Sequence, residues 1–191
     1  MHTTKRSSRP FLVFFEEYEG GRKMNILITR AMPEDAKEIL EYLKKIGGET
    51  DNLTFGSEGL PISEEAEKSY LEKIAGSTTS VMYVAKKDGK IVGNASFNGM
   101  PGERIKHRGE VAVSVLKCEW GQGIGSMLLE AIIDFAKNVA RAEIISLEVR
   151  SDNKRAIKLY EKYGFEKIGC FNGFFKIEGE YVDFDLMNLY L

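Results

Sequence analysis

Trp120-Gly121-Gln122-Gly123-Ile124-Gly125 decides how this chain is read, because three alternating glycines stand between a strand-like run and a strongly amphipathic helix. Glycine lacks a Cβ, so the backbone can turn tightly there and approach a ligand closely. The first N–H groups of the following helix have no intrahelical acceptor, and with the helix dipole they favour an anion. Ile124, Met127, Leu128, Ala131, Ile132, Phe135, Ala136 and Val139 recur at spacings of three and four, which predicts one buried helical face. Upstream, Glu110 to Leu116 reads as a strand, with Val111, Val113 and Val115 on one side and Glu110, Ala112 and Ser114 on the other. The glycines therefore join a strand to a helix. Gly121, Gln122, Gly123, Ile124, Gly125 and Ser126 become candidate phosphate ligands, mainly through their backbone N–H groups.

Two other glycine loops compete for the segment. A Walker loop needs Gly-Lys-Ser/Thr after four spacer residues, and no such string occurs. A dinucleotide fingerprint is nearly satisfied by Gly121-x-Gly123-x-x-Ser126, with Glu143 or Glu148 downstream, but it fails at the third glycine. Only 66 residues follow Gly125, too few for a doubly wound domain built from that point. A plain glycine-rich turn would look the same locally.

The second half of the pattern is Leu147-Glu148-Val149-Arg150-Ser151-Asp152-Asn153, followed by Ala156, Tyr160, Gly164 and Phe165. With it, over roughly residues 25 to 191, the chain resembles the GCN5-related N-acetyltransferase superfamily. In that family an Arg/Gln-x-x-Gly-x-Gly/Ala loop grips the pyrophosphate of coenzyme A, and Asn-x-x-Ala-x-x-x-Tyr-x-x-x-Gly-Phe follows on the next helix. The loop here opens with Trp120 instead of Arg or Gln, so its grip on phosphate is expected to rest on backbone donors. The indole is expected to pack over the cofactor or the core.

The resemblance implies an α/β (α+β) fold: a mixed, mostly antiparallel twisted sheet with helices on both faces and splayed central strands. It implies acetyl-CoA as cosubstrate, no metal, and direct transfer to a primary amine, either a protein N-terminus or a small amine. It also implies that backbone groups of Val113, Ser114 and Val115, on the strand before the loop, bind the acetyl carbonyl and pantetheine amides. A Val111/Val113/Val115 core stripe would read identically. Asn153 and Tyr160 would both touch the cofactor, since seven residues are two helical turns.

An alkylamine of pKa about 10.4 is almost wholly protonated at neutral pH, and freeing its lone pair costs roughly 4 to 5 kcal/mol. A base is therefore useful. Glu148 matches the position where the family's protein N-terminal acetyltransferases carry a glutamate proposed as general base; Glu110 matches the position used by other branches. Each would look the same as a solvated glutamate on a sheet rim. Tyr160 matches the family's general acid, because a neutral phenol can donate to a departing thiolate. Alternatively Ala156, Tyr160 and Tyr163 form a packing stripe. A non-catalytic acyl-CoA sensor would need only the glycines and Asn153, not Glu148 or Tyr160.

Composition fits this reading. The 191 residues, 43% hydrophobic and 29% charged, suit one globular domain, and a formal charge of -2 argues against a dedicated nucleic-acid surface. Cys118 and Cys170 are the two cysteines and His2 and His107 the two histidines, without metal-ligand spacing. A reduced, cytoplasmic setting follows from that usage, and no apolar run reaches the length of a membrane span. Residues 1–23 read as an extension ahead of an acetyltransferase domain at 24–191, with Met24 as a candidate start. The apolar patch Phe11 to Phe15 is expected to add an edge strand or a homodimer contact.

The remaining elements are predicted as a strand at 25–30, helices at 33–46 and 63–74, and a hairpin of 80–87 with 90–97 around Asp88-Gly89. A strand at 144–149, a helix at 152–163 and two strands turned at Glu178-Gly179 complete the order. The polar loop Gly47 to Pro61 is either a plain connector or, as the resemblance implies, the part that helps to cover the acceptor.

Overall fold

Asp88-Gly89 and Glu178-Gly179 each place two successive residues at positive φ (50° and 79°; 50° and 90°), the backbone of a type I′ hairpin turn. These turns set the register of two strand pairs in an eight-stranded sheet. The computed structural model describes residues 13–19 and 22–191, with side chains described from Ile26 onward. In chain order the elements are β1 (Val13–Glu19), β2 (Arg22–Arg30), α1 (Ala36–Glu49), α2 (Glu64–Ala75), β3 (Ser80–Lys87), β4 (Lys90–Gly99), β5 (Arg108–Val115), α3 (Ile124–Asn138), β6 (Ile144–Arg150), α4 (Lys154–Lys162), β7 (Glu166–Ile177) and β8 (Glu180–Tyr190). The sheet order is β1-β2-β3-β4-β5-β6-β8-β7, and every neighbouring pair is antiparallel except β5 with β6.

β5 and β6 pair over a short stretch only, Arg108–Glu110 against Ile144–Ser146, and then part. The backbone directions on β5 follow from its other neighbour. Met100 N donates to Arg108 O and Leu116 N donates to Val92 O, so even-numbered residues turn their backbone groups toward β4. Val111, Val113 and Val115 therefore turn theirs into the gap that opens beside β6. This is the expected splay.

Helices cover both faces. On one face Tyr42 of α1 hydrogen-bonds the Ser114 hydroxyl at 2.8 Å. On the other, Phe97 of β4 meets Phe135 of α3 edge-on at 6.1 Å, and a Cβ at Gly93 would touch Leu128 and Ile124. The α3 stripe predicted from spacing is buried as Ile124, Met127, Leu128, Ala131, Ile132, Phe135 and Ala136. Ser63 caps α2 by accepting from Ala66 N at 3.2 Å.

Several boundaries differ from the sequence reading, two of them near the site. The first helix opens with a 3₁₀ turn at Pro33–Asp35 and continues to Glu49, through Gly47 and Gly48, so the loop begins at Thr50. Gly47 does not break the helix. It is glycine because the returning loop crosses it so closely that a Cβ would stand 2.0 Å from the Gly56 carbonyl oxygen. The third strand of the central group starts earlier than expected, at Arg108, and ends at Val115. β1 forms one edge of the sheet and contains Val13, Phe14 and Phe15 of the apolar patch; Phe11 and Leu12 lie outside the described residues.

Candidate active site

The glycine loop takes the backbone form its composition predicts. Gly121 (φ 85°) and Gly123 (φ 74°) are left-handed, and Gly123 is the N-cap of α3. A Cβ would meet nothing within 4 Å at Gly121 and only the tip of Met127 at Gly123, so the space above both is open. Gly125 plays a different part. Its missing Cβ lets α3 approach α4, since a side chain there would stand 3.2 Å from Leu159. The first turn of α3 holds no acidic residue, which leaves its free N–H groups available to an anion.

A cavity of about 470 Å³ runs from this loop along the gap beside β5. It is lined by Val113, Ser114 and Val115, by Gly121, Gly123, Ile124, Gly125 and Ser126, and by Asn153 and Tyr160. The structure thus brings together nearly all of the predicted cofactor-binding set, but Ser114, an even-numbered residue of β5, turns its backbone groups toward β4 and not into the gap, and its hydroxyl is bonded to Tyr42. Gln122 is placed otherwise. Its side chain accepts from Lys87 Nζ at 3.0 Å and donates to Glu119 Oε2 at 2.9 Å, while Lys87 pairs with Glu119 at 2.7 Å. That cage ties the loop to β3 and turns Gln122 away from the cavity. Asn153 caps α4 by accepting from Ala156 N at 3.1 Å, which commits its oxygen and leaves its amide nitrogen as the free end.

Sequence reasoning missed Arg155 and Lys158, which line the same cavity from the first two turns of α4. A signal was present: the first turn of α4 holds no acidic residue and carries Lys154 and Arg155. Basic residues oppose the dipole at a helix start, so their presence there is accounted for when an anion is bound between them. Trp120 is also on the wall. Its Nε1 donates to Val115 O at 2.8 Å, and the Arg155 guanidinium lies 4.6 Å from its ring centroid.

Tyr160 is 7% exposed, packs against Phe165 at 5.6 Å, and its hydroxyl has no hydrogen-bond partner among the described residues. Burial pushes its pKa up to about 12, so it is a neutral phenol over the physiological range. It can donate a proton or a hydrogen bond into the cavity.

Glu110 and Glu148 do not line this cavity; they sit beside it on the sheet. Glu110 pairs directly with Ser146 in the parallel ladder, so Glu148, two residues on, shares its face. Glu148 is exposed, yet partial desolvation first and the charge of Glu110 second raise its carboxyl above the ordinary value. Neither carboxylate has an ion-pair partner among the described residues.

A second cavity, of about 420 Å³, shares Thr50 and Leu53 with the first and is otherwise walled by the loop after α1 and by the Phe174 to Ile177 end of β7. Phe171, Phe174, Phe175 and Phe184 form a cluster with ring centroids 4.4–5.3 Å apart along this hairpin. Among the described residues no three His, Cys, Asp or Glu side chains are grouped to hold a metal ion, and no helix is long and apolar enough to cross a membrane.

With this geometry in view, the chain was compared with known proteins. The model of the acetyltransferase (GNAT) family matches residues 49–165. The L-amino acid N-acetyltransferase AaaT of Escherichia coli (strain K12) is 31% identical over 124 residues, which is 65% of this chain and 76% of that one. The N-alpha-acetyltransferase RimI of Mycobacterium tuberculosis is 33% identical over 96 residues, 50% of this chain and 58% of that protein. The crystal structure of an acetyltransferase of the GNAT family from Streptococcus pneumoniae superposes with a TM-score of 0.84 at 30% identity, covering 87% of this chain and 99% of the other.

Proposed function

Because the chain belongs to the acetyltransferase (GNAT) family, we propose that it transfers an acetyl group from acetyl-CoA directly to a primary amine, a protein N-terminus or a small amine. The observation that carries this is the single cavity joining the positive-φ glycine loop, the unpaired backbone of β5 and the buried Tyr160 hydroxyl. Those residues fit coenzyme A. The loop and the basic start of α4 suit its phosphates, and the gap-facing backbone groups of Val113, with the N–H of Val115 whose carbonyl is held by Trp120, suit a chain of amides.

Acetyl-CoA supplies an activated acetyl thioester. Everything else falls to the protein. Glu148 takes the proton that an alkylammonium must lose; its pKa, raised by partial desolvation first and by the charge of Glu110 second, makes it a better base than an ordinary carboxylate. Tyr160, kept neutral by burial, donates its proton to the sulfur that leaves and is restored by the second proton that the attacking nitrogen sheds as the amide forms. Backbone N–H groups of β5 that face the gap stabilise charge on the carbonyl oxygen.

The acceptor enters by the second cavity, where Leu53, Phe55, Phe174 and Phe175 offer apolar walls and Asp51 and Glu58, against the single charge of Lys176, leave the lining net negative toward a cation. AaaT and RimI, by their names, both act on amines at an α-carbon, which supports an acceptor of that kind. We assign this activity to residues 24–191, in a cytoplasmic setting consistent with two free, exposed cysteines.

The test is release of coenzyme A thiol from acetyl-CoA with a panel of amino acids, peptides and polyamines. A ligand at 100 times its Kd stabilises a fold by about 2.7 kcal/mol, so thermal melts with acetyl-CoA, free CoA and NAD run alongside separate binding from turnover. Stabilisation by acetyl-CoA without thiol release on any amine would make the protein a sensor. Stabilisation by NAD alone would return it to the dinucleotide class.

A further inference from the structure

The residue that departs from the family pattern, Trp120, stands at the cavity wall and not in the core. It is a large aromatic left 38% exposed at the cavity wall. Two contacts hold it. Its N–H edge donates to Val115 O, a carbonyl that faces the gap beside β6 and has no strand partner there. Its face carries the Arg155 guanidinium at 4.6 Å.

Arg155 has no carboxylate partner among the described residues, and Lys158 lies on the same wall one turn on. A guanidinium fixed on an aromatic face, unpaired and next to a second cation, keeps all its fork of donors for a phosphate. The loop pattern that this chain otherwise follows places a cation or an amide at position 120 itself.

We propose that the loop's cation has been moved rather than lost: Arg155 supplies from α4 the phosphate contact that position 120 no longer makes, and Trp120 is the positioning residue that holds Arg155 over the phosphates of coenzyme A. The indole is suited to this because its N–H is used up on Val115, which fixes the ring plane, and its open face then orients the cation. Phenylalanine would keep the face and lose the anchor.

The test uses the full chain. Trp120 is its one tryptophan, so intrinsic fluorescence reports from this spot, and binding of CoA is expected to change it in a saturable way. Calorimetric titration with CoA and with dephospho-CoA then reads the variants. Arg155→Gln is expected to raise the Kd of CoA about tenfold or more, and Trp120→Ala to do the same, with the double variant no worse than either single one. Trp120→Phe is expected to fall between. The loss should appear in KM for acetyl-CoA and not in kcat at saturation.

Trp120→Arg in the Arg155→Gln background is expected to recover binding, because it returns the cation to the loop. A loss seen with CoA only assigns Arg155 to the 3′-phosphate; an equal loss with dephospho-CoA assigns it to the pyrophosphate. Wild-type affinity in Arg155→Gln, additive losses in the double variant, or no recovery with Trp120→Arg would each overturn the proposal. Melting curves on every variant identify one that fails to fold, and for that variant Arg155→Lys, which keeps the charge without the fork, gives the reading: an affinity loss supports the proposal and unchanged affinity opposes it.

Discussion

Glu148 and Glu110 share one face of the sheet at the point where β5 and β6 part, and neither has an ion-pair partner among the described residues; Arg108 on the same face gives its guanidinium to Ser146. Partial desolvation first, and the charge of Glu110 second, raise the Glu148 carboxyl. The sign follows directly. A base works in its ionised form, so the acidic limb of kcat lies above the ordinary carboxylate range, and Glu110→Gln, which removes a negative neighbour, moves that limb to lower pH. Glu148→Gln lowers kcat by about 10²-fold or more while leaving acetyl-CoA affinity in place. A kcat–pH profile of the three proteins checks this; an unmoved limb in Glu110→Gln would disconnect the two carboxylates.

Tyr160 separates chemistry from packing. Its hydroxyl is unpartnered, so Tyr160→Phe keeps the contact with Phe165 and removes a polar group that gains nothing from the protein. The melting temperature should therefore not fall. If the phenol is the proton donor, kcat falls by about 10²-fold. With its pKa pushed up to about 12, wild-type activity shows no alkaline limb from this residue below that pH.

Gly123 tests the loop. Alanine at φ 74° costs about 1–2 kcal/mol of stability. Gly123→Asp meets a smaller backbone cost, since Asp tolerates the left-handed region better than Ala, and places a carboxylate at the N-cap, where the helix start attracts anions. The aspartate variant is expected to lose less stability than the alanine variant, yet only the aspartate is expected to abolish CoA binding in a calorimeter. Retained binding in Gly123→Asp would remove the loop from the phosphate site.

How much of this was legible in the sequence depends on whether a side chain records the feature. The α3 stripe and the Asp88-Gly89 and Glu178-Gly179 turns are written in residue type and spacing, and each appears where it was expected. The splay is not. Val111 to Val115 would carry the same side chains on a fully paired strand, because parting from β6 is a backbone event; only the resemblance suggested it. That the Gln122 side chain is held by Lys87 and Glu119 was not legible, because these come from another strand and a preceding turn. Arg155 was missed although a basic first turn on α4 was readable as an anomaly.

Gly47 poses helix propensity against contact. Alanine in a helix is favoured over glycine by about 1 kcal/mol. At Gly47, however, the new Cβ would stand 2.0 Å from the backbone oxygen of Gly56, so the whole loop must move. Overpacking of that kind costs roughly 1–3 kcal/mol, and the contact wins. Gly47→Ala is expected to lower the melting temperature and to raise KM for the acceptor, since Thr50 and Leu53 of that loop wall both cavities. A higher melting temperature with unchanged KM would mean that the loop does not rest on α1 as described.

The most direct measurement is mass spectrometry of both the amine and the intact protein after incubation with acetyl-CoA and an acceptor that supports thiol release. Direct transfer predicts one acetyl group on the amine for each thiol released and none on the protein at any time. Acetyl groups accumulating on the protein before the amine, or thiol release with no acetylated amine, would contradict the account.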